Sequence, residues 1–133
     1  MKILVTGDRG YIGSVLVETL LTKGYEVVGF DSGYFADNLV DKVNTKYQKI
    51  TKDIRDITKD DLHGIEGIIH LAGLSNDPLG EFSPKLTEDI NYSGTIKLAK
   101  LAKSNGISRF VYASSQSMYG ISTSDDELDE DDS

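Results

Sequence analysis

The chain of 133 residues has no cysteine and no tryptophan, only two prolines and two histidines, and no apolar run near the roughly 20 residues that span a bilayer. Each absence excludes something. Without cysteine there is no disulfide framework and no thiolate metal site, and a cytoplasmic setting is the default. His63 and His70 are too few and too isolated to suggest zinc, so no metal is expected. The amino terminus reads as a core strand and not as a signal peptide, and no membrane association is expected. Positive charge is not in excess either. The net charge is −8, yet seven of the 22 acids lie between Asp125 and Asp132, which leaves 15 acids against 14 bases elsewhere. The nearly neutral body has no basic patch and no footprint for nucleic acid. This length suits one core, expected over residues 1–120. The acidic segment 121–133 holds only Ile121 and Leu128 as strongly apolar residues, too few to offset the entropy of ordering it, and it is expected to lack regular structure.

What the chain does have is concentrated at its start. The apolar run Ile3-Leu4-Val5 passes directly into Thr6-Gly7-Asp8-Arg9-Gly10-Tyr11-Ile12-Gly13. A buried strand that breaks into a glycine-rich turn and then opens a helix offers backbone amides, and the positive end of a helix dipole, to a pyrophosphate. Gly7 permits the tight turn, Gly10 leaves room for phosphates, and Gly13 allows close packing of helix on strand. Glycines also mark ordinary turns, so the context decides. Ile12, Leu16 and Leu20, with Val17 and Leu21, recur at helical spacing, and Lys23-Gly24 ends the helix. A second strand, Glu26 to Phe30, follows and ends in Asp31, eighteen residues after Gly13. A carboxylate there hydrogen-bonds the adenosine ribose hydroxyls and repels a 2′-phosphate, and no arginine follows strand 2 to receive one. The expected cofactor is NAD rather than NADP. The plainer alternative for Asp31 is a solvated acid opening the turn with Ser32 and Gly33.

The remainder alternates strand and helix, the pattern of a parallel sheet covered on both faces. Tyr47 to Ile50 is a weak third strand, Gly67 to Leu71 a stronger fourth and Arg109 to Ala113 a fifth. Asp53 to Leu62 reads as a short polar helix or turn. Ser83-Pro84 opens the longest helix, with Ser83 as N-cap, and it runs to Asn105-Gly106 with Leu86, Ile90, Leu98, Leu101 and Ala102 as its buried stripe. Right-handed crossovers then give the order 3-2-1-4-5, with a ligand across the carboxyl ends at the switch between strands 1 and 4.

Taken together, Thr6-Gly7-x-x-Gly10-x-x-Gly13, Asp31, Asp53-Ile54-Arg55-Asp56, His70-Leu71-Ala72-Gly73, Asn91 with Gly94-Thr95, and Ser114-Ser115 before Met118-Tyr119-Gly120 resemble the extended short-chain dehydrogenase/reductases. Within them the likeness is to nucleotide-sugar epimerases and dehydratases of the UDP-glucose 4-epimerase type. The resemblance implies a Rossmann-type doubly wound α/β fold, tightly held NAD, and a nucleotide-sugar substrate; a homodimer stays open. It gives the pyrophosphate to Gly7, Gly10, Tyr11, Ile12 and Gly13, the adenosine ribose to Asp31, and the adenine to Asp53 and the Ile54 amide. Leu71, Ala72 and Gly73 would border the cofactor, with Ser114 near it and Asn91 as a structural or proton-relay link. Against these stand plainer readings: Asp53 as a solvated loop acid, Ala72-Gly73 as a small-residue turn, His70 as a packed strand-end histidine. Ser115 is the candidate catalytic residue, its hydroxyl orienting the substrate oxygen that becomes a ketone, with Ser114 as its competitor and an ordinary serine turn after the strand as the plainer reading. Gln116 and Ser117 stand where dehydratases carry an acidic pair, which favours epimerase chemistry. That chemistry is a transient oxidation of a sugar hydroxyl to a ketone, followed by return of the hydride to the other face.

The chain departs from the family where the chemistry matters most. The family's base is a tyrosine followed four residues on by lysine, whose charge lowers the phenol pKa. None of Tyr11, Tyr25, Tyr34, Tyr47, Tyr92, Tyr112 and Tyr119 has that partner. The later strands and the carboxyl-terminal substrate lobe are lacking too. The expectation is the cofactor-binding part of a longer enzyme, inactive by itself. A non-catalytic NAD-binding or regulatory protein, or a carbonyl reductase on the same strands, are the alternatives.

Overall fold

The computed structural model describes residues 1–34, 46–75 and 83–115. Strands β1 (Lys2–Thr6), β2 (Glu26–Asp31), β3 (Gln48–Thr51), β4 (Gly67–His70) and β5 (Arg109–Tyr112) form one sheet in the order β3-β2-β1-β4-β5. Every neighbouring pair is parallel. The chain winds outward from β1 in one direction and then restarts beside it with β4, so the expected doubly wound topology is present and its switch point, where such folds take their ligands, lies at the carboxyl ends of β1 and β4.

The alternation of side chains along β1 divides the core. Ile3 and Val5 pack with Val17 and Leu20 of helix α1 (Tyr11–Thr22) on one face. Leu4 points the other way, into a larger cluster with Val28, Phe30, Ile68, Leu98 and Ala102. The last two belong to helix α2, built end to end from Pro84–Thr87, Glu88–Gly94 and Thr95–Ser104. A strand buried on both faces must be apolar throughout, which is why Ile3-Leu4-Val5 reads as an unbroken run. Gly24, in the left-handed region at φ +81, ends α1 as expected.

Four expectations are corrected. The middle of α2, Glu88–Gly94, is π-helical. One added residue per turn rotates what precedes it by about 100°, so Leu86 leaves the buried stripe and is 37% exposed. Ser83 precedes α2 but makes no side-chain capping bond; its carbonyl accepts from Thr87 instead. Ile12 is exposed, because it lies in the first turn of α1 at the rim where the apolar face of the sheet ends. Asp53 to Leu62 is more than a polar turn: it forms two short 3-10 turns, Ile54–Asp56 and Asp60–Leu62, and buries Ile54, Ile57 and Leu62 in the α2-side core. The acids there mark the solvent face of a segment whose apolar residues cap the sheet. No helix among the described residues is long and apolar enough to cross a membrane. The acidic segment 121–133 and the run Gln116 to Gly120 lie outside the described residues.

Candidate cofactor site

The glycine turn is shaped by close approaches on three sides. Gly7, at φ +73, lies so near the end of β4 that a Cβ would come within 2.9 Å of both the Leu71 carbonyl carbon and the Ala72 nitrogen. Its amide donates to the Phe30 carbonyl at 2.8 Å, tying the turn to β2. At Gly13 a Cβ would overlap the Gly7 carbonyl oxygen, so this glycine allows α1 to pack on the turn itself more than on the strand. Gly10 is different. Among the described residues a Cβ there would meet the Gly7 oxygen at 3.3 Å, a tight approach but much looser than those at Gly7 and Gly13.

That difference carries the fit to a pyrophosphate. Gly10 is the N-cap of α1 with no side-chain capping bond, and the first turn contains no acid. The first amides of a helix have no partner within it and require one from outside. Tyr11 and Ile12 flank them, 85% and 64% exposed. An open helix N-terminus whose N-cap glycine leaves the space before the amides free of a side chain suits a bound anion.

The second cluster lies at the carboxyl ends of β2 and β3 and is charged. Asp31 accepts from the Gly33 amide at 2.6 Å through Oδ1 and from the Arg9 amide at 3.2 Å through Oδ2. The Arg9 guanidinium reaches over the same rim and donates through Nη2 to the Asp31 carbonyl at 2.6 Å and to Thr51 Oγ1 at 3.1 Å. The sequence places no arginine after strand 2; the cation at this rim comes from the turn after β1. Asp8, the other residue between Gly7 and Gly10, is 1% exposed and accepts from the Tyr47 hydroxyl at 2.7 Å. Burial raises the Asp8 carboxyl above its ordinary value of 3.8, against the Tyr47 bond, which lowers it. A Cβ at Gly29 would overlap the Asp8 carboxylate, so a glycine in the middle of β2 makes room for this acid. That glycine was the available signal.

A third cluster, at the end of β4, is neutral and buried. Thr6 Oγ1 accepts from the Leu71 and Ala72 amides, both at 3.2 Å, and lies 2.6 Å from His70 Nδ1. His70 Nε2 lies 2.8 Å from Thr95 Oγ1, whose own hydrogen goes to the Asn91 carbonyl at 2.7 Å. Only one arrangement of hydrogens satisfies all of these: Nε2 of His70 carries the proton and donates to Thr95, while Nδ1 accepts from Thr6. A second ring proton would force Nδ1 against an oxygen already holding two N–H groups. Burial accordingly pushes the His70 pKa down to about 4, and this histidine is a packed strand-end residue. The Asn91 side chain continues the chain, with Oδ1 accepting from the Leu74 amide at 2.7 Å and Nδ2 donating to the Leu74 carbonyl at 2.8 Å. It sits in the π-helical stretch, where a widened turn re-aims side chains.

Leu71 and Ala72 thus meet Gly7, and a Cβ at Gly73 would come 3.2 Å from Asn91 Oδ1. Asp53 and Ile54 stand apart from these contacts. Arg55 binds both Asp53 oxygens, at 2.7–3.0 Å, and these bonds hold the carboxyl below its usual range; Ile54 is in the core. Ser114 and Ser115 follow β5, exposed.

A parallel sheet with an uncapped glycine turn after its first strand and an acid closing the second defines the dinucleotide-binding class of doubly wound proteins. The particular family follows from comparison with known sequences. The model of the NAD dependent epimerase/dehydratase family matches residues 3–133, and the chain belongs to that family. A UDP-glucose 4-epimerase of Klebsiella pneumoniae is 37% identical over 133 residues, with 90% of this chain and 93% of that protein covered. One of Mycolicibacterium smegmatis is 38% identical over 130 residues, covering 90% of this chain but 41% of the relative. Among solved structures, the UDP-glucose 4-epimerase of Stenotrophomonas maltophila, with bound NAD and formylated UDP-arabinopyranose, superposes with a TM-score of 0.83 at 30% identity. It covers 94% of this chain and 40% of its own. The Thermus thermophilus enzyme with NAD gives 0.83 at 26% identity, covering 98% of this chain and 43% of its own.

Proposed function

We propose that residues 1–120 are the cofactor-binding unit of a nucleotide-sugar epimerase that works in the cytoplasm by transient oxidation of a sugar hydroxyl. The observation that carries this reading is the uncapped N-terminus of α1 above Gly10, with Asp31 at the end of the next strand. Gly7, Gly10, Tyr11, Ile12 and Gly13 hold the pyrophosphate, and Asp31 holds the adenosine ribose. Asp53 and the Ile54 amide meet the adenine. Leu71, Ala72, Gly73 and Ser114 border the nicotinamide half, and Asn91 fixes the loop after β4. When bound, NAD supplies a reversible hydride acceptor, so the reaction needs no net redox change. Ser115 orients the reacting hydroxyl by a hydrogen bond.

Ser115 cannot ionise near neutral pH, and no tyrosine of the chain has a lysine four residues on. The 133-residue chain therefore binds NAD without turning over a UDP-hexose, and a longer polypeptide supplying the tyrosine and lysine restores turnover. In that polypeptide Ser115→Ala is expected to lower kcat by about 10²-fold with little change in NAD affinity, measured by coupled assay and calorimetry. Substantial turnover by the chain alone, or an unchanged rate in the Ser115→Ala protein, would contradict the catalytic assignment. Tight NAD binding with no turnover in any longer form would favour a non-catalytic binding protein.

A further inference from the structure

We propose that Arg9 is a specificity-determining residue at the adenosine end of the site: its guanidinium neutralises Asp31 and weakens the exclusion of a 2′-phosphorylated dinucleotide. The inference rests on the cofactor reading above and deepens it. An acid at the end of β2 acts against a 2′-phosphate through its charge, and that charge is not alone. Arg9 Nε lies 4.0 Å from Asp31 Oδ1, with the two side chains 14% and 15% exposed. Opposite charges at that range, shielded from water, largely cancel for a third charge arriving from solvent.

The geometry also shows that Asp31 does not saturate the guanidinium. Among the described residues the buried Arg9 Nε has no hydrogen-bond partner, and the bonds that Nη2 makes go to the Asp31 main chain and to Thr51. The pair is held by charge and not by the two-pronged fork that guanidinium forms with a well-placed carboxylate. Nη1 faces Gly33, where a Cβ would lie 3.1 Å from it, so the cation extends along the loop directly after Asp31. A phosphate ester on the ribose that Asp31 receives would arrive beside this group. Arginine is suited to take it, because its planar donors match phosphate oxygens.

Two charges in one subsite make a four-way test. NAD and NADP are titrated calorimetrically into the unaltered protein, Arg9→Gln, Asp31→Asn and the double variant. Thermal melts check each fold, and Arg9→Lys keeps the charge without the fork. The unaltered protein is expected to bind NAD and, more weakly, NADP. Arg9→Gln should weaken NADP by about tenfold while changing NAD less than about threefold, and Asp31→Asn should strengthen NADP by about tenfold. The double variant should lose that gain, and Arg9→Lys should keep part of the NADP affinity. An NADP-to-NAD ratio unchanged in both Arg9→Gln and Arg9→Lys would overturn the role of Arg9 while leaving the cofactor reading intact. No binding of either dinucleotide by the unaltered protein would remove the cofactor reading, and this proposal with it.

Discussion

Two clusters close the carboxyl rim of the sheet, one on each side of β1, and they are built on opposite principles. On the β2 side, Asp8, Arg9, Asp31 and Tyr47 bring charges close together, and Asp8 Oδ1 and Arg9 Nε find no hydrogen-bond partner among the described residues. On the β4 side, Thr6, His70, Thr95 and Asn91 form a neutral chain in which each donor meets an acceptor. Charges that the protein only partly satisfies are available to discriminate among ligands. A neutral network with every bond made fixes the positions of Leu71, Ala72 and Leu74 instead.

The sharpest way to break this contrast is acid. His70 has a folded pKa below its unfolded value, so it contributes stability that is fully present above pH 6.5 and lost as pH falls through about 4. The loss approaches roughly 3 kcal/mol, read by urea unfolding at pH 7 and pH 4, and His70→Gln should flatten that limb. A pH dependence unaltered by His70→Gln would mean that another group carries it. Next in size, Asn91→Ala strands both main-chain groups of Leu74 and is expected to cost about 2 kcal/mol, with faster amide exchange at Leu74. If Leu74 kept its protection, the Asn91 contact would not be what holds the loop.

The charged side answers in the opposite sense. Asp8 has a raised folded pKa, so its contribution is fully present below 3.8 and lost as pH rises through the raised value. Asp8→Asn removes a carboxylate that is buried with one unbonded oxygen, and should stabilise the protein by about 1 kcal/mol at pH 7. Loss of stability in Asp8→Asn at pH 7 would show that the ionised form is the one the fold needs.

The same contrast explains how much could be read from sequence. The strand order, the glycine turn and Asp31 were legible because each is local: a run of apolar residues, a spacing of glycines, an acid at a strand end. Strand ends differ by a residue or so, and β3 was faint because at the sheet edge only Ile50 among its residues is even half-buried. What escaped was created by pairing across the sheet. Arg9 and Asp31 are 22 residues apart, and Asp8 and Tyr47 are 39 apart. Thr6 and His70 are 64 apart and meet because β1 and β4 pair in register at those two residues. The π-helical stretch was hidden for a related reason: the apolar spacing of α2 suggested a continuous stripe, and Leu86 fell out of it.

The central proposal is that the turn between β1 and α1 is a pyrophosphate site, and Gly10 is the glycine there that is less crowded than Gly7 and Gly13. Among the described residues the Gly7 oxygen, at 3.3 Å, is what a Cβ there meets, so a valine costs some stability at this N-cap while filling the space over the open amides of α1. Calorimetric titration of NAD into the unaltered protein and into Gly10→Val, with thermal melts of both, makes the comparison. The account predicts measurable binding that is lost in Gly10→Val while the protein still melts cooperatively, at a modestly lowered temperature. Undiminished NAD affinity in a folded Gly10→Val protein would contradict it.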